Sequence, residues 1–102
     1  MLGSPRQPAK FNWQDVFIFL VAAEAGSLRA AGRQLGLNPS TIGRRIARLE
    51  RAIGERLFEA GAAGEALDRL SPAGQALLPV ARAMEANARM IASGGFLKVA
   101  KP

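Results

Sequence analysis

Arginine is concentrated in one part of this sequence, and guanidinium chemistry suggests what that part contacts. Between Gly26 and Phe58 there are seven arginines and only two glutamates, in a 102-residue chain whose net charge is +6. A guanidinium group is planar and can donate paired hydrogen bonds to a phosphate or to a guanine edge. The cluster therefore predicts nucleic-acid binding. The alternative is that these arginines merely solvate helix faces.

The residues needed for most enzyme chemistry are absent from the sequence. With no Cys and no His, disulfide scaffolds, thiolate or imidazole metal sites and Ser-His or Cys-His catalytic pairs are excluded. No two of the candidate carboxylates are spaced to pair in a cleft, and these carboxylates are Asp15, Glu24, Glu50 and Glu85. Without His, a general base at neutral pH is hard to supply. We therefore predict that the protein is not an enzyme and needs no cofactor or metal.

The first predicted helix begins after the cap residue Asn12 and ends at Gly26. Apolar residues recur along its inner side at helical spacing, namely Trp13, Val16, Phe19, Leu20 and Ala23. Its other side is also apolar, with Phe17, Ile18 and Val21. Extra packing within one chain could explain this, but we favour a subunit interface because so small a domain has a small core.

Two further helices are predicted with a short turn between them. Ser27 caps the first, which ends at Gly36, and Leu37 is expected in the core. Asn38 caps the second, with Pro39 at its first position. This second helix covers 39–53 and ends at Gly54. Two short helices around a glycine-containing turn, the second of them basic, are typical of a helix-turn-helix.

Spacing within 39–53 separates an apolar face from a basic one. The residues predicted to face inward are Ile42, Ile46, Leu49 and Ile53. At about 100° per residue, the opposite face then carries Ser40, Arg44, Ala47 and Arg51, with Arg48 beside it and Arg45 nearer the core edge. Small side chains, including Gly43, would let the backbone approach base edges while the arginines reach outward. The pattern favours insertion into a DNA groove.

The segments Glu55–Glu59 and Ala66–Leu70 are predicted to pair as two short strands, the wing, joined by a tip without cations. Ser71 and Pro72 then open a long helix that ends near Gly94. We expect Pro79 to kink this helix. Along this helix, residues at spacings of three and four form a stripe that is apolar except for one Asn, which predicts pairing with another helix. The stripe consists of Leu77, Val80, Met84, Asn87 and Ile91.

From about Trp13 to Ile91 the sequence resembles the DNA-binding part of LysR-type transcriptional regulators. The matching phrases are Ala23 to Ser27, Leu37 to Glu50, Gly54 to Glu59 and Leu70 to Gly74. The resemblance implies a mainly α fold, a winged helix-turn-helix with a small two-stranded wing and a long C-terminal linker helix. It also implies sequence-specific binding of double-stranded DNA as a homodimer through the first and linker helices, and allows a tetramer in a longer parent protein.

The resemblance also implies roles for individual residues. It assigns base contacts to Pro39, Ser40, Gly43 and Arg44, and phosphate contacts to Ser27, Arg29 and Thr41. These residues and those of the basic face of helix 39–53 make up the predicted DNA-binding set. The set is Ser27, Arg29, Asn38, Pro39, Ser40, Thr41, Gly43, Arg44, Arg45, Arg48 and Arg51. The predicted dimer set is Phe17, Ile18, Val21, Leu77, Val80, Met84, Asn87 and Ile91.

Two departures from the family pattern bear on how DNA would be bound. Family members usually have Ser at the place of Gly43, and their wing commonly carries Arg where this sequence has Ala60 and Ala63. The first departure removes a hydroxyl. The second implies a weaker contact with the minor groove.

The predicted organisation has four parts. Residues 1–11 are a flexible leader, 12–71 the winged helix-turn-helix, 72–93 the linker and dimerisation helix, and 94–102 the opening strand of a truncated effector-binding domain, so that no effector is bound by this fragment. The longest apolar run is too short to cross a bilayer, so we expect a soluble, cytoplasmic protein without membrane contact. The alternatives are a protein-interaction or dimerisation module with weak or no DNA binding, and the N-terminal domain of a molybdate-responsive repressor.

Overall fold

The structure is a computed structural model, and it describes residues 10–59 and 69–100. Within these residues the chain forms five helices. They are α1 (Trp13–Ala25), α2 (Leu28–Leu35), α3 (Pro39–Ile53), α4 (Pro72–Ser93) and α5 (Phe96–Ala100). The mainly helical fold is as predicted. The leader, except for its last two residues, and the predicted wing tip lie outside the described residues.

The boundaries of α1 to α4 follow from local side-chain and backbone chemistry. Each of these helices begins at a side chain that accepts a hydrogen bond from a backbone N–H of the first turn, and the caps are Asn12, Ser27, Asn38 and Ser71. Each ends at a glycine with positive φ, namely Gly26, Gly36, Gly54 and Gly94. All four predicted starts and stops are confirmed.

The core lies where α1 crosses α2 and α3. Phe19 and Leu20 of α1 are buried with Ile42 and Leu49 of α3, and Ala81 of α4 closes one side. Because α3 packs on α1 through its apolar face, its opposite face is left toward solvent.

Three packing predictions were wrong. Leu37 and Ile53 were expected inside but are exposed, because Leu37 lies in the turn between α2 and α3 and Ile53 is the last residue of α3. Ile18 was assigned to the dimer interface but is only 4% exposed in the single chain. Ile18 belongs to the core of the single chain, so packing within the chain covers part of the second apolar side of α1.

The base of the predicted wing is held to the start of α4. Phe58 and Leu70 form an antiparallel bridge, and the N–H of Glu59 donates to the carbonyl of Arg69 at 2.9 Å. The N–H of Ser71 donates to the carbonyl of Leu57 at 3.0 Å. Phe58 and Leu70 form an isolated bridge outside any regular strand, and residues 66–68 of the second predicted strand lie outside the described residues. The full two-stranded wing therefore stays a prediction.

The region from Pro72 onward is helical. α4 runs as a single helix through Pro79. The segment after Gly94 was predicted to be a strand, but Phe96–Ala100 is a short helix. Local hydrogen bonds, including the one from the N–H of Leu97 to the carbonyl of Gly94 at 3.0 Å, favour this helix. None of the described helices is both long and apolar enough to span a membrane.

Candidate nucleic-acid interface

The outward face of α3 combines a polar start with arginines farther along. Ile42, Ile46 and Leu49 are buried, whereas Ser40, Arg44 and Arg51 are exposed. The half-buried Gly43 and Ala47 lie among them. The two faces predicted from helical spacing are thus present, and the exposed one carries little side-chain bulk between its arginines.

The first turn of α3 is rigidly hydrogen bonded. The side-chain oxygen of Asn38 accepts from the N–H of Ser40 at 2.9 Å and from its hydroxyl at 2.8 Å. One turn later, Nη2 of Arg44 donates to the hydroxyl of Thr41 at 3.2 Å. These bonds fix the orientation of Ser40 and aim the Arg44 side chain along the start of the helix. Asn38 acts here as a cap, and its predicted DNA contact remains a prediction.

The first turn of α2 carries two residues of the predicted DNA-binding set, and its second turn packs against the turn that leads into α3. Ser27 caps α2 by accepting from the N–H of Ala30 at 3.0 Å, and Arg29 is exposed in the same first turn. The turn is tight at Gly32, where an added Cβ would lie 2.5 Å from the carbonyl oxygen of Leu37. A larger residue at Gly32 would therefore push α2 away from the turn into α3.

Arg45 and Arg48 of the predicted DNA-binding set share an acidic partner on α1. Asp15, in the first turn of α1, is 1% exposed. It accepts from Nε of Arg45 at 2.5 Å, and from Nε and Nη2 of Arg48 at 2.7 and 2.9 Å. Both side chains stay partly exposed, Arg45 by 25% and Arg48 by 50%. Arg45 and Arg48 thus lie beside the exposed face of α3 and are ion-paired with Asp15 of α1.

The charges of this cluster shift its titration. Burial alone would raise the pKa of Asp15, but hydrogen bonds and charges from Arg48 and Arg45 outweigh burial and hold the pKa below its ordinary value of 3.8. In turn, the hydrogen bond and negative charge of Asp15 raise the pKa of Arg48. Asp15 and Arg48 are therefore both ionised at neutral pH.

The predicted dimer residues, Ile18 apart, lie at or near the surface of the single chain. Val80, Asn87 and Ile91 of α4 are exposed, Ile91 by 70%. The rest are half-buried, namely Phe17, Val21, Leu77 and Met84. A cleft between α1 and α4 is lined by apolar groups of Trp13, Phe17, Ala88 and Ala92.

Sequence reasoning missed three contacts that hold the interface in place. Asp15 was considered only as a possible catalytic carboxylate. Glu50 was considered only as a charge and as a possible catalytic carboxylate, yet its Oε2 accepts from the N–H of Leu57 at 2.9 Å. Ser71 was recognised as a cap, but its hydroxyl also donates to the carbonyl of Arg56. One signal was available for Asp15, an acidic residue inside an apolar helix, although its partners lie 30 and 33 residues away.

Comparison with known proteins identifies the family to which this interface belongs. The family model for the bacterial regulatory helix-turn-helix protein, lysR family, matches residues 13–75, more than half of the chain. The chain belongs to the LysR family. The matched LysR domain is a DNA-binding module of transcriptional regulators, not an enzyme. This result favours the LysR resemblance over the molybdate-responsive alternative.

Related LysR-family sequences are longer than this chain. An uncharacterized HTH-type transcriptional regulator of Mycobacterium tuberculosis is 47% identical over 57 residues, which cover 56% of this chain and 17% of the relative. The HTH-type transcriptional regulator TfdS of Cupriavidus pinatubonensis is 42% identical over 73 residues, 72% of this chain and 24% of the relative. The chain thus spans less than a quarter of the length of these relatives.

Solved structures support the winged-helix fold of this LysR domain. The CbnR DNA-binding domain in complex with DNA is 30% identical, with a TM-score of 0.72 over 88% of this chain and 98% of that one. The BenM DNA-binding domain with catB site 1 DNA has a TM-score of 0.74 over 90% of this chain and 100% of that one, at 20% identity. The second likeness concerns the fold alone.

Proposed function

We propose that this LysR-family domain binds double-stranded DNA sequence-specifically as a dimer, with α3 as the recognition helix in the major groove. The observation that carries the proposal is the exposed face of α3, where Ser40 and Arg44 stand clear of the buried core. A helix of this width fits the major groove, in which each base pair presents a distinct set of donors and acceptors. The DNA complex of the similar CbnR domain adds support.

Base contacts are proposed for the first two turns of α3. Arg44 is long enough to donate two hydrogen bonds to a guanine, and Ser40 can contact either kind of base edge. Pro39 and Gly43 add little bulk, so the backbone can come close to the DNA. Gly43 leaves one hydroxyl contact fewer than the Ser usual in the family.

Phosphate contacts are proposed for the residues that flank this reading face. Ser27 and Arg29 lie at the start of α2, where backbone N–H groups and the helix dipole favour an anion. Thr41 and Asn38 border the start of α3, and Arg51 lies about 10 Å farther along its axis than Arg44. These groups would fix the register of the domain on DNA without reading its sequence.

Dimerisation is proposed through α4 together with the neighbouring part of α1. Val80 and Ile91 expose large apolar side chains on the same stripe of α4. Burying them against a second copy would remove apolar area from water at roughly 25 cal/mol per Å². In a longer parent protein, such dimers could assemble further into a tetramer, and an effector could control DNA binding.

A salt titration tests DNA binding against the protein-interaction alternative. We assume that about four cations on each subunit neutralise phosphates. A plot of log Kd against log salt concentration for a dimer on duplex DNA should then rise with a slope of about 7. A protein-interaction module would show almost no affinity for duplex DNA at any salt concentration. Negligible binding by the folded domain would overturn the proposed function.

Selection of bound duplexes from a random pool tests the dimer and its specificity. A symmetric dimer with two recognition helices should enrich two half-sites about one helical turn apart, or a small multiple of that spacing. Enrichment of a single half-site without a repeat would argue for binding as a monomer. Recovery of unrelated sequences would contradict sequence-specific binding.

A further inference from the structure

Asp15 is a buried carboxylate that none of the proposed DNA contacts uses. It lies on α1, and its partners lie in the middle of α3. We propose that Asp15 is a positioning residue that restrains Arg45 and Arg48, lowers the charge that the recognition helix presents to any duplex, and thereby increases discrimination between DNA sites. This inference rests on the proposed placement of α3 in the major groove.

The geometry of the contact is that of a fixed structural link. Oδ2 of Asp15 accepts from Arg48, and Oδ1 accepts from both Arg48 and Arg45. Nη2 of Arg45 also donates to the side-chain oxygen of Gln14 at 3.3 Å. The paired bonds from Arg48 specify both the position and the plane of its guanidinium group. Nε and Nη2 of Arg48 therefore point toward α1, and away from DNA bound at the exposed face of α3.

The arginines of α3 consequently fall into two kinds. Arg45 and Arg48 are ion-paired to Asp15, so the three groups together carry one net positive charge instead of two. Arg44 and Arg51, in the part of the chain that the structure describes, have no carboxylate partner. Arg44, the proposed base reader, thus keeps its full charge, while two neighbouring cations are partly neutralised.

This division of charge affects specific and non-specific binding differently. Affinity for random DNA depends chiefly on how many cations neutralise phosphates, whereas discrimination depends on contacts with bases. A released Arg48 could swing to a phosphate on any sequence. It would then strengthen binding to every duplex by a similar factor and make correct placement of the recognition helix less necessary for binding.

The test compares Asp15→Asn with the parent on the selected site and on a random duplex, over a series of salt concentrations. We expect Asp15→Asn to bind the random duplex several-fold more tightly. Its salt slope should steepen by about 0.9 for each arginine released, or about 2 for a dimer that releases one per subunit. The ratio of random to selected-site Kd should fall.

A matched control is Glu24→Gln, which removes the same charge from α1. Glu24 pairs with Arg82 of α4 at 3.1 Å, and both side chains are about half exposed. This variant should leave the salt slope on the random duplex close to that of the parent. An equal steepening in both variants would overturn the inference, because net charge alone would then explain the effect.

A second variant keeps the test decisive if Asp15→Asn fails to fold, which circular dichroism and a thermal melt would reveal. Arg48→Lys keeps the charge but cannot donate in paired fashion, while Arg45 still satisfies Asp15. It should change the slope in the same direction as Asp15→Asn.

Two results would overturn the proposed role of Asp15 while leaving the proposed function intact. The first is an unchanged slope in folded variants when the parent binds DNA. The second is weaker binding of random DNA by Asp15→Asn, which would mean that Asp15 holds Arg48 toward a phosphate. A parent that shows no salt-dependent duplex binding would overturn the proposed function, and the role of Asp15 with it.

Discussion

Arg48 in α3 donates two hydrogen bonds to the buried carboxylate of Asp15 in α1, from Nε at 2.7 Å and from Nη2 at 2.9 Å. The pair joins the first turn of α1 to the third turn of α3. It therefore contributes to the angle at which α3 packs against α1, apart from any effect on DNA. Four consequences of this and neighbouring contacts can be measured.

Asp15 should make the stability of the domain sensitive to acid. Its pKa in the folded state lies below the ordinary value of 3.8, so the unfolded state binds a proton more readily as the pH falls. The stabilisation is then fully present above the ordinary pKa and is lost from about pH 5 downward, through the lower pKa of the folded state. Asp15→Asn should cost about 1–3 kcal/mol at pH 7. Urea unfolding between pH 2.5 and 7 would measure the difference.

In this experiment the gap in stability between parent and Asp15→Asn should narrow as the pH is lowered. A gap of constant size over the whole range would show that ionisation of Asp15 does not stabilise the fold. Glu24→Gln serves as the control, because exposed ion pairs of this kind contribute little to stability.

Gly74 should be intolerant of any side chain. A Cβ built there would lie 2.1 Å from the carbonyl oxygen of Leu57, so Gly74→Ala must separate α4 from the base of the wing. We expect a loss of about 1–3 kcal/mol in the free energy of unfolding. Gly43→Ala is the matched control, since its Cβ would lie 3.7 Å from Cδ1 of Leu28. Alanine there should stabilise the helix by up to about 1 kcal/mol.

Thermal or chemical unfolding of the two glycine variants would decide this point. Equal effects of Gly74→Ala and Gly43→Ala on stability would contradict the close approach between α4 and Leu57. Neither substitution alters charge, so the comparison isolates the steric contribution.

Arg44 and Arg51 should respond differently to alanine substitution. As the proposed base reader, Arg44→Ala should cost about 1–3 kcal/mol on the selected site and far less on random duplex. Arg51→Ala, as a phosphate contact, should weaken binding to both duplexes by a similar factor. Fluorescence anisotropy on the two duplexes would measure both effects. An equal loss on both for Arg44→Ala would reduce Arg44 to a phosphate contact.

The exposed stripe of α4 should be required for self-association. Val80→Asp places a charge at the proposed interface and should shift the dimer toward monomer by at least about tenfold in Kd. Ala86→Asp is the control, because Ala86 is exposed on the opposite side of α4. Sedimentation equilibrium over a range of concentrations would compare them. Two variants with the same association constant would argue against this stripe as the interface.

Local signals in the sequence predicted the helices accurately. Each of the first four helices is capped at its start by a side chain and ends directly before a glycine. The caps are Asn12, Ser27, Asn38 and Ser71. Such interactions span only two to five residues, so the order of residues is enough to specify them. The two faces of α3 were predictable for the same reason, because helical periodicity alone separates Ile42 from Arg44.

The tertiary structure decided which of these residues are available to a partner. Spacing put Ile18 on an outer face and Leu37 inside, but burial depends on which neighbouring element covers a position, and both predictions were wrong. Nor could spacing give Arg48 its acceptor, since Asp15 lies 33 residues earlier in the chain. By itself the sequence determined helices, caps and a basic face. Only folding, which brings distant segments within hydrogen-bonding distance, decided which arginines of that face are held by the protein itself.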